Sequence, residues 1–236
     1  MRTCHHITIA GTATAFSLRL RLHFKAARAA GVSHKNGDRA LFGLFKKKQK
    51  ESEPQFIVVT INARIQPMHR GEIYEDPLDE ILAKNSVGEV SGGGTLQSKT
   101  GEIEYCDVEI QVNNTSDEVV DLIKSSLEQL GVPKGSKIKV EATESEIEFG
   151  SLEGLAIYLN GTDLDDEVYA NSDSNHVYSE LDRLIQGIGK VYSYWQGPTE
   201  TAFYLYGTSF SQMNAKISEL VNNYPLCQKC RIEQIA

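Results

Sequence analysis

Few side chains in this sequence stand at spacings that could do chemistry. His69 and Arg70 precede Glu72, Glu75 and Asp76 in one short charged stretch, and a histidine near a carboxylate can act as a general base. Glu200 is the acid a fold could bring to the same site, so His69 and Glu200 are the candidate catalytic residues. The stretch reads equally as a solvated loop whose acids favour the start of the next helix. A second acidic run, Asp163, Asp165, Asp166, Glu167 and Asp173, could hold a cation weakly. It lacks the spacing and the glycine of a calcium loop, and a solvated loop is the simpler reading.

Cys227 and Cys230 form a C-x-x-C with no second cysteine or histidine pair at zinc spacing. A final strand follows them, where a thioredoxin-type motif would open a helix. Gly92, Gly93 and Gly94 run into a strand with no Lys-Ser/Thr after them, so they mark a bulge or a close backbone contact with the other half of the chain rather than a phosphate cradle. No metal and no cofactor is expected. Nucleophile elbow, zinc-protease, P-loop and dinucleotide fingerprints are all absent from the sequence.

The elements that must position these residues come as one module written twice. Gly88-Glu89-Val90 answers Gly189-Lys190-Val191, and Thr115-Ser116 answers Thr208-Ser209. In the first copy, residues 56–61 are a β-branched strand. Asp76-Pro77 reads as a helix start, and strands follow over residues 87–96 and 102–112. Thr115 with Glu118 forms a capping box for a helix that Gly131 stops, and residues 136–143 close the copy. In the second copy, strands over 154–159, 190–196, 200–206 and the last residues alternate with helices carrying Val177, Leu181 and Ile185, then Met213, Ile217 and Leu220. Ser209 with Gln212 forms its capping box. Residues 144–152 add an extra strand or hairpin arm between the modules. The order β-α-β-β-α-β, twice, predicts an α+β protein of two tandem ferredoxin-like modules packed as one pseudo-twofold body.

A plait leaves one sheet face uncovered by its own helices. On that face the second copy offers Tyr192, Tyr194, Trp195, Gln196, Glu200 and Tyr204, with Trp195 at a hairpin tip, and the first offers Tyr105 and Asp107. Tyrosine and tryptophan suit an interface anchor. Equally, alternate aromatics could fill the core and the remainder pack between the modules. The chain carries net charge -8, and residues 1–55 hold eleven lysines and arginines against Asp38, Glu51 and Glu53. The rest therefore holds 13 basic against 29 acidic residues. A body so acidic repels phosphate, which disfavours nucleic acid.

The pattern resembles tandem ferredoxin-like proteins over residues 56–236. The stretches HRGEIYEDPLDE, GEVSGGG, EIEYCDVEI, DEVYA and WQGPTETAFYLYG also resemble an uncharacterised family of bacterial proteins. That resemblance implies a fold and a bacterial context and no catalytic residues.

Three segments are expected: residues 1–53 as a disordered basic extension, a transit-like peptide or the product of a start placed too early; residues 54–152 as the first module; and residues 153–236 as the second. No apolar run reaches the length of a membrane span, and a cytoplasmic location is expected. The expected function is non-catalytic binding of a basic protein partner, in the manner of an immunity or antitoxin-like neutraliser, with self-association left open. The alternative is an enzyme or small-ligand binder with a cleft between the modules.

Overall fold

A computed structural model describes residues 54–236. The expectation for residues 1–53 lies outside the described residues. Strand β1 (Gln55–Ile61) buries Ile57, Val59 and Ile61 and leaves Phe56, Val58 and Thr60 on its other side, the period-2 alternation of a strand covered on one face. The chain then turns through residues 62–66 into helix α1 (Pro67–Arg70), a π-helical turn (Gly71–Glu75) and α2 (Asp76–Asn85), which follow one another without a break. The expected start at Asp76 is corrected: proline at the first helical position is Pro67, and the charged stretch 69–76 is helical rather than a loop. Tyr74, Leu78 and Leu82 form the buried stripe of this helix.

Strands β2 (Gly88–Gln97) and β3 (Ile103–Val112), helix α3 (Asp117–Leu130), and strands β4 (Ser136–Val140) and β5 (Ser145–Phe149) complete a five-stranded antiparallel sheet in the order β2-β3-β1-β4-β5. The N-cap of α3 is Ser116, with no side-chain cap bond, so the Thr115–Glu118 capping box does not form. Gly131, in the left-handed region at φ 91°, ends α3 as expected. The second half runs β6 (Glu153–Asn160), α4 (Asp166–Asn171), α5 (Ser174–Leu184), β7 (Gly189–Gln196), β8 (Glu200–Gly207), α6 (Phe210–Asn223), a 3-10 turn (Pro225–Cys227) and β9 (Arg231–Gln234). Its sheet is ordered β7-β8-β6-β9. Ser209 caps α6 by accepting the Gln212 N–H at 3.4 Å. The fold is α+β, two tandem ferredoxin-like plaits.

The duplication extends to detail. Both edge strands carry a bulge at the same place, between Val90 and Gly92 and between Val191 and Ser193. Just before each bulge an aspartate of the first helix accepts the outward-pointing N–H: Asp79 from Val90 at 2.8 Å, Asp182 from Val191 at 3.1 Å. The ladders therefore align residue by residue. Thr60 matches Tyr158, Glu109 matches Tyr204, Gln111 matches Tyr206, and Gly92, Gly93 and Gly94 match Ser193, Tyr194 and Trp195.

Those exchanges decide how the plaits meet. Each sheet packs one face on its own helices. The opposite face of the second sheet carries Ala156, Tyr158, Ala202, Tyr204 and Tyr206, all at most 1 % exposed. These side chains join the hydrophobic core of the first plait through residues 62–66, the β2–β3 turn and the end of α3. The matching face of the first sheet has Thr60, Glu109 and Gln111 in place of those tyrosines, beside Phe56, Val58 and Tyr105, and among the described residues nothing covers it. The helix-side core of the second plait is a separate cluster built on Leu155, Ile157, Leu181, Phe203, Leu205 and Ile217.

Candidate functional site

Three places gather polar chemistry. The first lies where the plaits meet. The β1–α1 connection brings Arg64 and the β2–β3 turn brings Glu102 to the tyrosine face of the second sheet. Glu102 Oε1 accepts from Arg64 Nη1 at 2.6 Å, Tyr158 O–H at 2.7 Å and Tyr204 O–H at 2.8 Å, while the Tyr206 hydroxyl oxygen accepts the Arg64 backbone N–H at 2.8 Å. Arg231 of β9 stacks 3.4 Å from the centre of the Tyr158 ring and forks onto both oxygens of Glu200 at 2.9 and 3.0 Å. Burial, then the bond to the Glu102 carboxylate, pushes the Tyr158 phenol up to about 12. The same causes, in the same order, raise Tyr204. These phenols are held as hydrogen-bond donors, and the arrangement fastens one plait to the other.

The expected catalytic pair is not assembled. Glu200 is committed to Arg231. His69 sits at the plait interface with Nδ1 3.1 Å from Ser193 Oγ, which also accepts the Gln66 N–H at 3.3 Å. Ser193 is 1 % exposed, so no substrate reaches it as a nucleophile. Burial lowers the His69 pKa from 6.5, against a smaller opposing pull from Glu72. The neutral ring is therefore the form the fold favours. Its contribution to stability is complete above pH 6.5 and is lost as pH falls through the lowered value, because unfolding then takes up a proton. In melts between pH 7.5 and 5, wild type is expected to lose Tm more steeply than His69→Asn. Parallel curves would sink this account of His69.

The aromatic set expected as a partner surface mostly faces inward. Tyr204 is 0 % exposed, and Tyr192 donates to the Gly131 carbonyl at 3.2 Å while its ring lies 5.1 Å from Tyr206. Tyr194 packs with the helix-side core. Trp195 is within β7 rather than at the hairpin tip, half-buried, with its indole over Gly197. Gln196 is exposed at the strand end and Glu200 is half-buried beside it. The expectation that Tyr192 and Tyr204 anchor an outside partner is thus corrected: the fold spends them on its own interface. Burial pushes the Cys106 and Cys227 thiols up to about 12, which disfavours their thiolate forms.

The second place is the open face of the first sheet. Tyr105 and Asp107 lie on it, half-buried, beside Phe56, Val58 and Thr60. The Thr60 hydroxyl donates to Asp107 at 2.7 Å. Glu89, Glu109, Glu146 and Glu148 surround this strip, and Lys137 and Lys139 lie on β4, with Lys137 paired to Glu146 at 2.6 Å.

The third is a cleft of about 340 Å³ between the α1–α2 helix and the β2 bulge, lined by Arg70, Glu75, Asp76, Asp79 and Val90 to Gly93. Here the glycine contact is within the first plait rather than with the other half of the chain. A methyl on Gly93 would stand 2.5 Å from Glu75 Oε1 and 3.0 Å from Arg70 Nη2. The acidic run 163–173 lies elsewhere, on and beside α4, with the Asp163 carbonyl accepting from Lys229 Nζ at 2.5 Å. Among the described residues, no group of three or more His, Cys, Asp or Glu could hold a metal ion, and no helix is long and apolar enough to cross a membrane.

Arg64, Glu102, Tyr158 and Arg231 escaped the reading of the sequence. The one available signal was that a register-matched polar position of copy one, Thr60, becomes tyrosine at 158 in copy two.

No family model and no curated protein matches the chain. Solved structures do match. A protein of unknown function from Galdieria sulphuraria is 14 % identical, covering 77 % of this chain and 98 % of its own, with TM-score 0.24. The first two RRM domains of the yeast poly(U) binding protein are 12 % identical over 76 % and 99 %, at 0.22. An anthrone oxidase-like protein is 11 % identical over 77 % and 94 %, at 0.22. At such TM-scores these likenesses carry no functional argument.

Proposed function

We propose that the chain is a non-catalytic binding protein whose first plait receives a basic segment of a protein partner on its open sheet face. The observation that carries this reading is internal. On the second plait the same face already holds a polypeptide segment, residues 62–66, whose Arg64 donates to the Tyr158 and Tyr206 hydroxyl oxygens of that face and to Glu102 of the first plait. The first face lacks that cover among the described residues and presents Asp107, Glu109 and neighbouring glutamates around Phe56, Val58 and Tyr105. The excess of acids over residues 56–236, 29 against 13, suits steered capture of a basic protein and repels phosphate. A neutraliser of the immunity or antitoxin kind, in a bacterial cytoplasm, is the concrete form of this proposal.

The test places a photo-crosslinking amino acid at Val58 in the full chain and exposes it to native lysate. The expected product is one basic protein, lost in a Glu109→Lys, Glu148→Lys twin. Once purified, that partner should associate about tenfold or more slowly at physiological than at low salt. Adducts indifferent to charge reversal, or adducts only with a second copy of this chain, would overturn the reading.

A further inference from the structure

The cleft beside β2 is something the plait itself does not need. Its counterpart in the second copy is filled: Tyr194 stands where Gly93 does, and Tyr178 and Ser179 stand where Glu75 and Asp76 do, counting from the shared aspartate caps. The first copy instead inserts a π-helical turn over Gly71–Glu75. Such turns are rare and gather at functional places. A π turn brings residues five apart onto one line, and here it sets Arg70 Nε against Glu75 Oε1 at 2.6 Å.

Arg70 is 8 % exposed. Its Nη1 donates to the Gly94 carbonyl at 2.7 Å and to Thr95 Oγ1 at 2.8 Å. Its remaining nitrogen, Nη2, makes no hydrogen bond among the described residues and lies beside Gly93 on the cleft wall. A buried guanidinium with unspent N–H groups calls for an acceptor. Around it, Glu75 balances Arg70, and the carboxylates of Asp76 and Asp79 leave the cleft with a net negative charge. Asp76 is exposed and its carboxylate makes no hydrogen bond or ion pair among the described residues, while Asp79 has one oxygen beyond the one that caps Val90.

We infer that this cleft binds a lysine or arginine residue, the side-chain cation lying between Asp76, Asp79 and Glu75 and the residue's main-chain carbonyl accepting from Arg70 Nη2. The inference rests on the binding reading above for the source of that residue, a protein partner. The cleft lies between the helix and β2, the edge strand of the first sheet, so a basic segment that crosses the open face and passes that edge reaches it. The cleft volume falls at the low end of small-ligand sites.

The experiment is an amide-shift titration of the full chain with Nα-acetyl-lysine methylamide, and separately with Nα-acetyl-alanine methylamide, at fixed ionic strength. Saturable shifts at Gly92, Gly93 and Gly94 are expected with the lysine probe alone. Asp76→Asn breaks no side-chain hydrogen bond or ion pair among the described residues and should weaken binding about three- to tenfold, the loss expected for one partly exposed charge pair. Equal response to both probes, or a titration unchanged by Asp76→Asn, overturns the inference. Loss of capture at Val58 with this titration intact sinks the functional reading and leaves the cleft standing; the opposite pattern sinks the cleft.

Discussion

Tyr204→Ala is expected to destabilise the chain by about 4 kcal/mol, in the range for deleting a fully buried aromatic ring. The ring is closed to solvent and meets Tyr158 edge-on at 6.4 Å, so its loss opens a cavity in the middle of the plait interface. Tyr204→Phe keeps the packing and removes one donor from Glu102, and should cost about 1 kcal/mol. In a Glu102→Gln background the phenylalanine change should cost measurably less, because the two groups share one bond. Urea titration followed by the fluorescence of Trp195, the single tryptophan, reads the wild type and the four variants. A cost below about 1 kcal/mol for Tyr204→Ala would mean that this face is not core.

Gly150→Ala should be as damaging from a different cause. Gly150 has φ 99°, and a methyl there would overlap the Pro133 carbonyl. The residues after it are stitched to the same segment, with Ser151 and Leu152 N–H both donating to the Val132 carbonyl and Lys134 N–H to the Leu152 carbonyl. Relief of the clash would therefore pull the link between the plaits off the first plait. The expected cost is about 3–5 kcal/mol, seen as a large fall in Tm or in soluble yield. Gly187→Ala is the control. It has φ 84° with nothing within 4 Å, so it carries conformational strain alone, about 1 kcal/mol. Equal costs at the two positions would show that the overlap at Gly150 is readily relieved.

The repeat, the element order and the ends of most strands were legible because they rest on local periodicity. Ile57, Val59 and Ile61 alternate, and Val119, Ile123 and Leu127 recur at helical spacing, whatever lies beyond them. The helix start failed where two proline signals competed. Asp76-Pro77 looked like a cap, yet Pro67 occupies the first helical position, and a π turn, which leaves no periodic trace, carries the helix through Gly71. The site was less legible still. Which face of a sheet is covered depends on what arrives from elsewhere in the chain, and the tyrosines of copy two fit an outside partner as well as an internal one. Arg64 and Glu102, 38 residues apart, had no local mark at all. The bulge expected at the glycine triplet is there, but the close contact expected with the other module is made instead by Gly93 with Arg70 and Glu75 of its own plait.

The exchange of polar residues for tyrosines on one face sets an order of assembly. Synthesis delivers the first plait ahead of the second, and plaits fold as units while the chain emerges. The half that leaves the ribosome first bears Thr60, Glu109 and Gln111 at those positions, groups that water can cover while it waits. The half that follows bears Tyr158, Tyr204 and Tyr206 and finds Arg64 and Glu102 already in place to receive them. Had the duplicates diverged the other way round, a nascent aromatic sheet would have stood uncovered until the rest of the chain was made.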